Sequence, residues 1–94
     1  MQKKFVMVTT EKKGVFAGIL VEHDKINKTA IIHEAQMAIY WSPDTHGVLG
    51  LASQGPGGNC RISPLIPEIY LEGVVSVSVC TGVAELAWRA QPWG

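Results

Sequence analysis

The stretch VFAGILVEH, residues 15–23, limits the folds open to this chain more than any other. In an extended strand, Val15, Ala17, Ile19 and Val21 lie on one face, and Phe16, Gly18 and Leu20 on the other. Both faces are apolar, so both need cover. Gly18 lacks a side chain inside this run, which predicts a bend or a close backbone approach. A bent central strand is therefore expected, with layers on either side.

The flanking segments fit that expectation. KKFVMVTT reads as a preceding strand, with EKKG as the turn. DKINK, with Asp24 and Asn27 in turn positions, reads as a hairpin leading to a third strand in TAIIHEA. MAIYW reads as a fourth extended run, entering the turn SPDTHG. VLGLAS is expected as a short fifth strand, CRIS as another, and PLIPEIYLEG as an extended connector with two prolines. VVSVSVC alternates, which predicts Val75, Val77 and Val79 inward and Ser76 and Ser78 outward. In TGVAELAWRAQPWG, Thr81 is an N-cap candidate, residues 82–90 a short helix and Pro92 its stop. Val83, Leu86, Ala87 and Ala90 share one side of that helix, and Trp88 sits beside Ala84. The expected fold is mainly β: a small bent barrel or strongly curved antiparallel sheet with one short C-terminal helix. Residues 1–94 form a single domain.

Apolar residues make up 47% of the 94, enough for one core. Charged residues make up 17%, below the roughly 25% usual in soluble domains. The formal net charge is zero, which argues against nucleic acid or an anionic membrane as the main partner. A weakly charged surface also resists association poorly, so a homo-oligomer is expected. No apolar run approaches the ~20 residues of a bilayer span, and the N-terminus lacks the pattern of a signal peptide. Cys60 and Cys80 show no paired-ligand spacing and read as reduced thiols.

Charge is unevenly distributed. Residues 1–35 hold ten charged side chains, while residues 36–71 hold only Asp44, Arg61 and Glu68. A solvated loop region normally carries more, so the middle third is expected to be covered by its own fold, a partner subunit or a ligand.

That middle third also holds the candidate chemistry. Ser42, Asp44 and His46 crowd one turn, but triads are assembled by geometry and neighbours in one turn seldom aim at each other. Asp44 and Thr45 instead suit local turn hydrogen bonds. His23, His33, His46, Cys60 and Cys80 show no zinc-like spacing, so neither a metal nor a catalytic role is assigned. SQGPGGN supplies glycines that let backbone N–H groups approach an anion, and Arg61 follows as a bidentate phosphate donor. It is not a P-loop, for no Lys-Ser/Thr pair follows the glycines. Tyr40 and Trp41 are adjacent, so one can pack in the core while the other stacks on a planar ligand. Trp88 and Trp93 read as core or subunit-contact anchors.

Two resemblances add to this reading. GVFAGILVEHDKINKTAIIHEA is similar to the first motif of Sm-like proteins, with Gly18, Leu20, Asp24 and Asn27 in comparable places. The Asp24–Asn27 spacing is one residue short, and Arg61 is followed by Ile62 where the second Sm motif has glycine. The likeness implies an SH3/Sm-like bent barrel and a ring-forming habit. The blocks KGVFAGIL, AIYWSPDTHGVLGLASQGP, CRISPLIPEI and the final CT before a helix ending PWG resemble a family of small bacteriophage proteins. That likeness implies a phage origin and a host bacterial cytoplasm.

The expected function is a non-enzymatic phage protein without cofactor. It would bind and sequester a small nucleotide-like ligand, such as a cyclic nucleotide immune signal, in counter-defence. The expected ligand contacts are Tyr40, Trp41, Ser42, Thr45, His46, Gly57, Gly58, Arg61 and Ser63. The alternatives are an Sm-like nucleic-acid-binding accessory, using Lys3, Lys4, Lys12, Lys13, Lys25 and Lys28, or a structural or partner-binding phage protein.

Overall fold

A computed structural model describes residues 4–11, 14–40, 47–56 and 60–90. Six strands and two helices follow in the order β1 (Phe5–Thr10), β2 (Val15–Asp24), β3 (Thr29–Tyr40), α1 (Gly47–Ser53), β4 (Arg61–Ile62), β5 (Ile66–Glu72), β6 (Val74–Val79) and α2 (Gly82–Arg89). The strands form one antiparallel sheet in the order β4-β3-β2-β1-β6, with β5 also pairing to β3. The sheet is not closed into a barrel.

It is nevertheless rolled, because β5 and β6 lie on its two outer sides yet are joined by Gly73 alone. In a flat sheet they would be four strand spacings apart, about 19 Å. The step from Glu72 to Val74 covers at most about 7 Å. The two ends must therefore meet at this corner. There the Glu11 N–H donates to the Gly73 carbonyl at 2.8 Å and the Val74 N–H to the Lys28 carbonyl at 2.9 Å. Gly73 has φ of +66°, a left-handed conformation that side-chain-bearing residues adopt at a cost.

Rolling gives the sheet an inner and an outer face. Val6, Val8, Ala30, Ile32, Ala35, Leu71 and Val74 form the inner core, with Phe16, Leu20, Ile69 and Val77 packed against it. Phe5, Met7, Val15, Ala17, Ala38 and Ile62 form the outer core, covered by Leu51 and Ala52 of α1 and by Ala84 and Trp88 of α2. β2 contributes to both, as its two apolar faces require.

The bend falls where glycine predicted it. Ala17 pairs with Gln36 and Ile19 with His33, so one residue of β2 faces two of β3. That is a β-bulge, and Glu34 within it has φ of +50°. A methyl group at Gly18 would sit 2.7 Å from the His33 carbonyl oxygen. A second irregularity between Leu20 and Glu22 bends the pair again.

Several expectations need correction. TAIIHEA and the MAIY of the next run are one twelve-residue strand bent at the bulge, not two strands, and Trp41 lies outside the described residues. VLGLAS is helical, within α1; it packs Leu51 and Ala52 onto the sheet and has no strand neighbour to pair with. The proline-containing connector is strand β5, which tolerates Pro67 because it lies at an edge. β6 is also an edge, so Val77 is half-buried while Val75 and Val79 are 65% and 60% exposed. On α2 the buried residues are Ala84 and Trp88, and Val83 and Leu86 face outward. The predicted turn SPDTHG, apart from Gly47, and the end of the chain from Gln91 lie outside the described residues.

Thr81 caps α2 as its residue type predicts. Its hydroxyl accepts from the Ala84 N–H at 3.0 Å and donates to the Ser53 carbonyl at 2.7 Å. Trp88 is fully buried, and its indole Nε1–H donates to the Leu51 carbonyl at 2.9 Å. Both bonds satisfy carbonyls in the last turn of α1. Gly55 (φ +82°) lets the chain leave α1 against α2, since a methyl group there would lie 2.5 Å from the Ala87 Cβ. Cys60 and Cys80 are free thiols. Burial, with a smaller contribution from Glu85, pushes the Cys80 thiol up to about 11, so it is not a ready nucleophile.

Gly18→Ala is expected to lower unfolding free energy by about 1–3 kcal/mol, because backbone blocks the added methyl. Urea denaturation followed by tryptophan fluorescence measures it, and an unchanged midpoint would contradict the close approach.

Candidate ligand site

β3 changes partner partway along. Thr29 to Ala35 pair with β5, whereas Ala38 and Tyr40 pair with Ile62 and Arg61 of β4. Between the two ladders lies an apolar hollow of about 200 Å³, lined by Phe16, Ala35, Gln36, Met37, Ser63, Ile66 and Ile69. Phe16 and Met37 are cross-strand partners.

Ile62 is buried in the outer core. Successive side chains alternate across an extended segment, so Arg61 and Ser63 turn toward the inner face, where the hollow lies. Arg61 is exposed, and no ion pair engages it among the described residues. It stands two residues before Ser63, the nearest residue of its own strand segment that lines the hollow.

Of the nine expected ligand residues, the described residues include three. Tyr40 and Arg61 are brought together as cross-strand partners. Ser63 is two residues further on, but its hydroxyl is committed: it accepts from the Met37 N–H at 2.7 Å and donates to the Pro64 carbonyl at 3.2 Å. The Ser63 N–H also donates to the Met37 carbonyl at 2.9 Å. Ser63 thus extends the β3–β4 pairing across the gap between the ladders. Trp41, Ser42, Thr45, His46, Gly57 and Gly58 lie outside the described residues. In the chain, residues 41–46 follow directly on Tyr40, and residues 57–59 precede Arg61 by a single residue.

Phe16 is the residue that sequence reasoning missed. It read as one side of a central strand, and nothing in its neighbours signals that β3 exchanges partners above it. Phe16 also borders a second hollow, of about 400 Å³, reaching Thr10, Glu11, Tyr70, Glu72 and Gly73. The two hollows share Phe16 as a wall, and Glu11 and Glu72 line the larger one.

A third concavity, of about 610 Å³, lies along β6 and gathers Lys4, His23, Lys25 and Lys28 around Leu20, Val75, Val77 and Val79. Asp24, next to His23 and Lys25 in the chain, offsets part of that charge. Its carboxylate accepts from the Ile26 and Asn27 N–H groups and the Asn27 side chain. The Asn27 bonds hold the carboxyl below its usual range. Lys28 lies 4.0 Å from Glu11, a loose and exposed contact.

Among the described residues, no group of three or more His, Cys, Asp or Glu side chains could hold a metal ion. His33 Nε2 lies 2.6 Å from Glu68 Oε2 across β3 and β5, on an open sheet surface. Among the described residues the low-charge middle is covered only in part by its own fold: Ala38, Leu51, Ala52, Ile62 and Leu71 are buried, whereas Ile39, Leu49, Leu65, Ile66 and Tyr70 are exposed. No helix among the described residues is long and apolar enough to cross a membrane.

Fold and site together define a small, mainly β protein with a rolled, open sheet and an apolar hollow lined by Phe16 on its inner face. The chain belongs to the family described as a domain of unknown function, DUF6948, whose model matches residues 3–88. No curated protein and no solved structure matches it.

Ser63→Ala leaves the Met37 N–H without its side-chain acceptor and is expected to cost about 1–3 kcal/mol of stability. Guanidinium unfolding measures this, and a variant as stable as the parent would show that the hydroxyl is not needed to join the two ladders.

Proposed function

We propose that this chain is a non-enzymatic binding protein that sequesters a small nucleotide-like ligand at the β3–β4 junction. The observation that supports it is an apolar hollow lined by Phe16 and Ser63, with the exposed Arg61 two residues before Ser63 in the chain. A planar, weakly polar base suits the hollow, and a phosphate suits the guanidinium. The hollow is below the ~300–1,000 Å³ of typical small-molecule sites, so it accepts a base and leaves the rest of the ligand to Tyr40, Trp41, Ser42, Thr45, His46, Gly57 and Gly58. Binding without conversion follows from what the site offers: an aromatic, a cation and apolar walls, with no acid–base pair or activated nucleophile assigned to it. The resemblance to small bacteriophage proteins supplies the setting, removal of a host cyclic nucleotide signal in the bacterial cytoplasm.

Isothermal titration against cyclic and linear nucleotides is the test. One member of the panel should bind, with Kd raised at least about tenfold by Arg61→Ala or Phe16→Ala. No binding by any nucleotide would overturn the proposal.

The basic concavity beside β6 favours a second reading, a nucleic-acid-binding accessory of the Sm-like kind. Lys4, distant in sequence, lines one surface with His23, Lys25 and Lys28. Gel shifts with RNA and single-stranded DNA should then show affinity that falls steeply with salt. Retention that ignores salt, or none, removes this reading.

A further inference from the structure

The two edges of the sheet are protected very differently. β5 carries Pro67, Glu68 and Glu72 and follows Pro64, all devices that discourage another strand from pairing. β6, VVSVSV, carries no charge and no proline. It pairs with β1 on one side only, and Val75 and Val79 stand exposed along it. Its one irregularity lies where Thr9 pairs with Ser76 and Thr10 with Val74, leaving residues 76–79 in regular register with β1.

The orientation of its backbone is fixed. The Cys80 N–H donates to the Phe5 carbonyl at 2.9 Å. Antiparallel alternation then turns the Ser78 and Ser76 backbone groups toward β1, and those of Val79 and Val77 toward the open edge. Residues 75–79 read Val-Ser-Val-Ser-Val, a palindrome centred on Val77. A two-fold interface requires a patch complementary to itself. Antiparallel pairing of this strand with its own copy sets Val77 against Val77, Val75 against Val79 and Ser76 against Ser78. The central residue is one whose N–H and C=O face outward, so this register forms hydrogen bonds at the axis.

We propose that β6 pairs with β6 of a second copy of this chain, two-fold and antiparallel about Val77, joining two sheets into one. The occupant is a second copy because the edge is matched to itself in sequence and outward backbone groups, and because a foreign strand needs no palindrome. The basic side chains Lys4, His23, Lys25 and Lys28 line the concavity beside β6. They are carried just before β1, on β2 and on the turn after it, so the paired strands themselves stay uncharged. The interface lies at the opposite end of the strand order from β4, so it is independent of the ligand reading above.

Sedimentation velocity on the full chain without ligand tests this. The parent should be a dimer. Val75→Lys with Val79→Lys puts like charges opposite each other in the proposed register and should give a monomer, with the dimer dissociation constant raised at least about a hundredfold. Val75→Lys with Val79→Glu puts opposite charges together and should restore the dimer. Both residues are exposed, and circular dichroism checks that each variant is folded. Tyr70→Lys, at the guarded edge, should leave the dimer intact. A monomeric parent overturns the proposal. So does a dimer indifferent to both double substitutions, or one lost equally in the two.

Discussion

The one-residue corner at Gly73 is the constraint on which the rest of this structure depends. It ties the outermost strand on one side of the sheet to the outermost strand on the other, and the sheet has to roll for that connection to exist. Rolling creates the two faces, and the two faces need two cores. Those cores account for β2, a strand apolar on both sides. The helices then have one place to go, the outer face, because the inner face covers itself. Gly73 meets the geometric demand with a left-handed φ and is held by backbone bonds from Glu11 and toward Lys28.

The bend at Gly18 and the packing of α2 are parts of the same arrangement. The bulge that Gly18 accommodates presents Glu34 outward, where it pairs with Arg89 Nη1 at 2.9 Å. Arg89 also bonds Glu85 at 3.1 Å and lies over the Phe5 ring at 5.3 Å from its centroid. The end of α2 is thereby fixed to both β1 and β3. The acids around it, Glu34 first, hold the guanidinium more firmly protonated than usual.

The sequence showed β1, β2, the hairpin at Asp24–Asn27, the alternation of β6 and the capped helix α2, because each carries its own local signal. Periodicity marks the strands, Asp24 binds its own turn and Thr81 caps its own helix. What it hid depends on partners distant in the chain. TAIIHEA and MAIY became one strand because the bulge at Glu34 meets Gly18, sixteen positions earlier. VLGLAS has a strand-like composition, and only the surface offered by the sheet and α2 makes it helical. The valines of β6 alternate as read, but alternation does not say whether a strand has one neighbour or two. The candidate site was legible as residue types, an arginine, an aromatic and a glycine-rich segment. Phe16 and the hollow were not, since they arise where β3 exchanges β5 for β4.

The pair of hollows that meet at Phe16 has a further consequence. Phe16 is a shared wall, with the carboxylates of Glu11 and Glu72 beyond it in one direction and a lining without charged side chains in the other. The two sides of one aromatic ring therefore differ in potential, negative toward Gly73 and near neutral toward Ser63. An anionic group would be repelled on the first side and not by the lining of the second. A single side chain of β2 thus separates two electrostatic environments on one face of the sheet.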